Sequence, residues 1–135
     1  MISVVLATYN GAVYINDQLE SLLKQTQMAD EVLICDDCST DNTVEIVNNF
    51  VQVHGLINWK VIINKQNKGW KRNFLDLFFM AHGNYIFYCD QDDVWSSDKI
   101  ENMIRAFNSN KNILCLSCRY NSIDQDGKII EFTVD

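Results

Sequence analysis

No run of about 18 apolar residues occurs in this sequence, so nothing in it reads as a membrane-spanning helix. The N-terminus, Met1-Ile2-Ser3-Val4-Val5-Leu6, lacks the basic stretch of a secretory signal and passes directly into an apolar run. A cytoplasmic location, or a peripheral one at the inner face of the membrane, is expected. Basic residues are in short supply: 11 Lys and Arg stand against 18 Asp and Glu, a formal net charge of −7. That balance argues against nucleic acid or an anionic membrane surface as the main partner. An anionic ligand is still accommodated, through backbone N–H groups, a few local cations and a bound metal. Proline is absent, and so is any linker, repeat or low-complexity segment; the missing proline carries no functional reading. Cysteines number five, Cys35, Cys38, Cys89, Cys115 and Cys118. An odd count without a secretion signal argues for reduced thiols. Cys115 and Cys118 fall in an apolar run expected to be a strand, where side chains three apart face opposite sides and cannot share a zinc ion.

What is present alternates between two periods. Ile2–Thr8 is a continuous apolar run suited to a strand buried on both faces. Asn10-Gly11 breaks it, and a helix is expected over about 12–25, with Ile15, Leu19, Leu22 and Leu23 on one face. A strand over Glu31–Asp36 precedes a helix capped by Asp41 or Asn42, with Val44, Val47 and Val51 inward. A third strand covers 60–64. The next helix opens near Trp70, carries Phe74, Leu77, Phe78 and Ala81 on one face, and ends at His82-Gly83-Asn84. A fourth strand, 85–89, leads to Asp90-Gln91-Asp92-Asp93. Ser96 or Ser97 is expected to cap a helix bearing Ile100, Met103, Ile104 and Phe107. A fifth strand is expected from Ile113 to about Arg119. Asp126-Gly127 then reads as a turn returning 128–134 as a last, exposed strand. Strands alternating with helices imply an α/β fold: a doubly wound, mostly parallel sheet flanked by helices, Rossmann-like in plan.

In such a sheet ligands bind outside the carboxyl ends of the strands, where the strand order reverses. Those ends carry Thr8-Tyr9-Asn10, Asp36-Asp37 and Asp90-Gln91-Asp92-Asp93. Five carboxylates on one edge would raise one another's pKa values, and a divalent cation bound through hard oxygen ligands relieves the crowding. In D-x-D the alternation lets Asp90 and Asp92 face one side while Gln91 faces the other. Asp93 also suits a helix cap, and Ser39 and Asp41 read as turn and cap residues. Asn67-Lys68-Gly69-Trp70-Lys71-Arg72-Asn73 opens a helix with three cations, a setting that suits a diphosphate and equally a solvated turn. Tyr9 and Trp95 could each stack on a base or sugar, and Trp95 could equally pack inside.

Taken together these segments resemble family-2 glycosyltransferases. Ile2-Ser3-Val4-Val5-Leu6-Ala7-Thr8-Tyr9-Asn10-Gly11 is similar to that family's opening strand and Asp36-Asp37-Cys38-Ser39-Thr40-Asp41-Asn42-Thr43 to its second motif. Asn67-Lys68-Gly69 and Asp90-Gln91-Asp92-Asp93-Val94-Trp95 resemble the third motif and the D-x-D, in the family's order and across nearly the whole chain. The last of these, with Asn73-Phe74, looks most like the bacterial rhamnosyltransferase-type branch. The resemblance implies the GT-A fold and a Mn²⁺ or Mg²⁺ cofactor. It also implies inverting transfer from a UDP- or dTDP-linked sugar, a nucleotide-diphosphate donor, to a glycan or lipid-linked acceptor, as in polysaccharide biosynthesis. Carried over by motif, Thr8, Tyr9, Asn10, Asp36, Lys71, Arg72, Asp90 and Gln91 would bind the nucleotide, with Lys71 or Arg72 near the diphosphate. Asp92 would be the direct metal ligand, with Asp90 on the ribose or in the metal shell. Residues 1–135 would form a single nucleotide-sugar-binding domain, truncated after the D-x-D region. The family's general base lies in the acceptor-binding half that follows, so no catalytic residue is assigned. The chain is expected to bind a nucleotide without catalysing transfer.

Two other classes share parts of the pattern. Asp90-x-Asp92-x-Val94 after an apolar strand fits a haloacid-dehalogenase-type phosphatase, with Asp90 as nucleophile, Asp92 as acid and Mg²⁺ as cofactor. That enzyme needs a further acidic pair downstream, and no Asp-Asp pair follows Val94. A non-enzymatic receiver-like signalling module shares the length and a paired aspartate at a strand end. It places the pair after the first strand, whereas Asp36-Asp37 follows the second.

Overall fold

The computed structural model describes residues 1–124 and 126–130. The chain divides into two compact units, Met1–Asn102 and Met103–Asp135. Eight elements follow one another: β1 (Ile2–Thr8), α1 (Ile15–Leu23), β2 (Glu31–Asp36), α2 (Thr43–Val53), β3 (Trp59–Ile63), α3 (Trp70–Met80), β4 (Tyr85–Asp90) and α4 (Lys99–Asn108). The strands form one parallel sheet in the order β3-β2-β1-β4. Thr8 pairs with Asp36 on one flank of β1, and Ala7 with Asp90 on the other. The fold is therefore the α/β, doubly wound arrangement expected of the sequence.

Every residue of β1 and β2 is buried, as strands built on continuous apolar runs and covered on both faces are. On one face Val5, Ala7, Leu33 and Cys35 pack with Leu77 of α3, and Phe74 and Ile62 close the edge of that cluster. Alternation turns Val4, Leu6, Val32 and Ile34 to the other face. Buried there as well are Ile15, Leu19 and Leu22 of α1 and Val47 and Phe50 of α2. The backbone of Gly83 passes so close to Ser3 that a Cβ there would meet the Ser3 hydroxyl and amide, which accounts for glycine where the chain enters β4.

Several boundaries differ from those expected. Helix α1 begins at Ile15 because the Gly11 carbonyl accepts the N–H groups of both Tyr14 and Ile15, a turn that delays the helix. Asp41 satisfies the start of α2, its carboxylate accepting the Thr43 N–H at 3.0 Å, while Asn42 makes no side-chain cap. Helix α4 starts at Lys99, whose N–H donates to the Ser96 carbonyl at 3.0 Å. The fifth strand is not formed: 113–119 makes no ladder among the described residues, and Cys115 and Cys118 are exposed outside any strand. An apolar run becomes a strand only when a neighbour meets its N–H and C=O groups. The Asp126-Gly127 turn is present, with Gly127 at φ 75°, and among the described residues it closes an isolated antiparallel bridge, Ile123 with Ile129. The remainder of the last expected strand, 131–134, lies outside the described residues.

A polar knot ties the entry of β4 to the sheet. The Glu31 carboxylate accepts the Ser3 hydroxyl at 2.6 Å, the His82 N–H at 2.6 Å and a contact from the His82 ring at 3.2 Å. Burial pushes this carboxyl up, but the hydrogen bonds outweigh it and hold the group below the usual glutamate range. A depressed folded-state pKa adds stability above the unfolded value, about 4.3, and that gain is lost as pH falls through the folded value. Glu31→Gln is therefore expected to lower the melting temperature at pH 7, with the deficit shrinking below about pH 4.5. Thermal melts of both proteins across that range check it; a deficit independent of pH contradicts the assignment.

Candidate functional site

The strand order reverses between β1 and β4, and a cleft of about 470 Å³ opens at their carboxyl ends. Thr8 and Tyr9 line it from β1, Asp90 and Gln91 from β4, and Trp70 and Asn73 from the first turn of α3. A second hollow of about 550 Å³ shares Trp70, Phe74 and Asp90 with it and adds Lys71 and Asp93. Nucleotide-sized space, an acidic strand end and one lysine thus meet at the crevice.

The two adjacent aspartates after β2 have different roles. Asp36 is buried away from the cleft wall. Its carboxylate accepts the Thr8 hydroxyl at 2.9 Å, the Ser39 N–H at 2.8 Å and the Ser39 hydroxyl. Asp37, 2% exposed, lines the cleft instead. It accepts the backbone N–H of Lys68 and of Gly69, each at 2.8 Å, and the Asn64 side-chain amide at 2.9 Å. The amides before α3 that could have cradled a diphosphate are thus donated to a protein carboxylate. Gly69 enters the helix at φ 80°, a conformation that glycine adopts without strain. Sequence reasoning weighted Asp36 and passed over Asp37; alternation along β2 does put the two on opposite faces, and only the position of α3 shows which face is the cleft.

The three cations separate in the same way. Lys68 and Arg72 both pair with Asp76, at 2.9 and 2.8 Å, and line a different cavity of about 410 Å³ beside Cys35. The hydrogen bond from Lys68, with the positive charges of Arg72 and Lys68, draws the Asp76 carboxyl below its ordinary range. Lys71 lines the hollow with Asp90 and Asp93, its ammonium 5.4 Å from the centre of the Trp70 ring. Trp70 is 66% exposed at the rim of both hollows, an aromatic face the sequence reading did not single out.

Asn10 takes a left-handed backbone, φ 49°, and its side-chain oxygen accepts the Thr40 N–H at 2.8 Å. That side chain therefore shapes the loop. Trp95 is buried beside Phe87, ring centres 6.0 Å apart, with the Lys99 ammonium 4.0 Å from its ring centre. Packing, the alternative to ligand stacking, describes it. Asn73, 1% exposed, was not anticipated either: its amide donates to the Cys35 carbonyl at 2.8 Å and its oxygen accepts from Asn64 at 3.2 Å, fixing α3 over β2. A polar residue within the apolar face of a helix was its signal.

At the end of β4, burial raises the Asp90 carboxyl above its ordinary value, and the charges of Asp92 and Asp93 raise it further against the lowering Gln91 N–H. The site is electrostatically short of positive charge. Among the described residues, no three His, Cys, Asp or Glu side chains gather into a metal cage. The donor set fits a divalent ion of the kind held by one or two carboxylates and completed by phosphate oxygens and water.

Residues 3–130 match the family model for glycosyl transferase family 2. The dTDP-rhamnosyl transferase RfbG of Shigella flexneri is 39% identical over 103 residues, covering 73% of this chain and 35% of that protein. The crystal structure of S. aureus TarS 1-349 in complex with UDP superposes with a TM-score of 0.70 at 29% identity, over 80% of this chain and 32% of that one. A mannosyltransferase from Pyrobaculum calidifontis, solved with GDP-Man and Mn²⁺, shares the fold at a TM-score of 0.72 and 23% identity, over 78% of this chain and 32% of that one. The chain spans about a third of the length of each of these proteins. With its family motifs in order around the crevice between β1 and β4, the chain belongs to glycosyl transferase family 2.

Proposed function

We propose that this chain forms the donor site of a sugar transferase, binding a UDP- or dTDP-linked sugar with Mn²⁺ or Mg²⁺. The sugar passes, with inversion at its anomeric carbon, to a glycan or lipid-linked acceptor, in the cytoplasm or at the inner face of the membrane. The observation that carries this reading is the pair of adjoining hollows that share Trp70, Phe74 and Asp90 at the carboxyl end of β4, one lined also by Thr8, Tyr9 and Asp37 at the strand-order reversal and the other by Lys71 and Asp93. Similarity to a dTDP-rhamnosyl transferase and to a UDP-bound transferase supports the donor class. Family membership sets aside the phosphatase and receiver readings.

Within the cleft, Thr8, Tyr9 and Asp37 are assigned to the base and ribose, and Trp70 to stacking at the rim. Asp36 acts behind them, holding the Thr8 hydroxyl. Lys71 is assigned to the diphosphate, and Asp92 with Asp90 to the metal. When bound, the metal supplies Lewis-acid stabilisation of the departing diphosphate. Lys71 adds a positive charge beside those phosphates, in the hollow it lines with Asp90.

Calorimetric titration of UDP and dTDP, with and without Mn²⁺, tests the proposal. Metal-dependent binding of one of them is expected, and the preferred base narrows the donor. A cooperatively melting protein that binds neither nucleotide defeats it.

A further inference from the structure

Gln91 stands between the two aspartates assigned to the metal, yet its side chain is committed elsewhere. Its Oε1 accepts the backbone N–H of Tyr9 at 2.8 Å, and its Nε2 donates to the Tyr9 carbonyl at 3.0 Å. One side-chain amide thus meets both main-chain groups of one residue, as a paired strand would. It extends the β1–β4 ladder beyond its last backbone pair, Ala7 with Asp90. The arrangement depends on Gly11, where an added Cβ would overlap the Oε1 and Cδ atoms of Gln91. Gly11 does not adopt a positive φ, so glycine answers a need for space there, not for backbone freedom. On its other flank the same turn is held by the β2–α2 loop: the Asn10 N–H donates to the Ser39 hydroxyl at 2.8 Å and the Ala12 N–H to Asp41 at 3.1 Å.

We propose that Gln91 is a positioning residue, whose amide clamps the turn after β1 to the acidic end of β4 and so fixes the spacing between the base wall and the metal carboxylates. The inference rests on the donor-site reading above. A nucleoside diphosphate must reach from one to the other, base against Tyr9 and phosphates against the metal. With the clamp in place the two ends are pre-set, and the metal strengthens a nucleotide already held in register. Without it the nucleoside still binds its own wall, but metal and base no longer reinforce each other.

The test is calorimetry of the preferred nucleoside diphosphate and of its nucleoside, each with and without Mn²⁺, on wild type, Gln91→Ala, Gly11→Ala and the double variant. Gln91→Ala is expected to cut the Mn²⁺ enhancement of diphosphate affinity by about tenfold while nucleoside affinity changes by less than about threefold. Gly11→Ala is expected to reproduce that loss by evicting the amide. The double variant is expected to be no worse than Gln91→Ala, because the methyl group then has nothing to displace. Gln91→Met, which keeps the length without the hydrogen bonds, replaces the alanine variant if that one does not fold. Full enhancement in a cooperatively folded Gln91 variant, or additive losses in the double variant, overturns the positioning role alone. Absence of Mn²⁺-dependent binding in wild type overturns the donor-site reading and this role with it.

Discussion

Asp37→Ala is expected to destabilise the protein by about 2–5 kcal/mol, since three charge-assisted hydrogen bonds are lost and each buried donor left unsatisfied costs about 1–3 kcal/mol. The carboxylate receives the N–H groups of Lys68 and Gly69 and the amide of Asn64 in a nearly dry setting. Truncation leaves those donors facing a void, and each orphaned group carries its own desolvation cost. The loss is a large share of the 5–15 kcal/mol that typically holds a domain together. Asp37→Asn is expected to fall between, since one amide oxygen still accepts while the NH₂ group opposes a backbone N–H. Urea denaturation reads the stability. Nucleotide titration of any variant that still melts cooperatively reads the site, and binding is expected to be lost because the turn leading to Trp70 and Lys71 is no longer anchored. An Asp37→Ala protein as stable as wild type would show that the turn holds itself.

Asp92→Ala is expected to abolish the metal-dependent part of nucleotide affinity, a loss of at least about 100-fold, since even outer-shell changes at metal sites cost 10–100-fold. The partner substitution, Asp90→Asn, separates function from stability. Burial and the neighbouring charges of Asp92 and Asp93 lift the Asp90 carboxyl. An acid whose folded-state pKa is raised opposes folding while it is charged, and the folded protein gains as the group is neutralised. Asn at this position removes that opposition, so the metal-free variant is expected to melt a few degrees higher while its metal-dependent nucleotide binding collapses. Melts without metal and titrations with Mn²⁺ make the comparison. A variant that binds as well as wild type with Mn²⁺ would remove Asp90 from the metal set.

The first of these expectations concerns a side chain whose neighbours are distant in sequence. The order of elements did not need that information. Ile2–Thr8 and Glu31–Asp36 carry the continuous apolar runs Val4-Val5-Leu6-Ala7 and Val32-Leu33-Ile34-Cys35, and the faces carrying Ile15, Leu19 and Leu22 or Phe74 and Leu77 repeat at helical spacing. Their alternation implies parallel strands, and the parallel sheet places Thr8, Asp36 and Asp90 at one edge. These features were legible because each depends on residues within a turn or two of one another.

The roles within that edge were decided by tertiary packing. Asp36 and Asp37 are chemically identical neighbours, yet α3 lies over one face of β2 and draws Asp37 to the turn before Trp70, leaving Asp36 to Thr8 and Ser39. Lys68, Lys71 and Arg72 lie within five residues, but Asp76 claims the first and last and only the middle one reaches the hollow beside Asp90. The apolar run from Ile113 had the composition of a strand and forms none among the described residues, because a ladder requires a neighbouring edge that no local pattern provides. Local periodicity, read from the chain, determined which segments become strands and helices and where the acidic ends collect; side-chain hydrogen bonds across 27 to 82 residues of sequence decided which of those residues face the cleft.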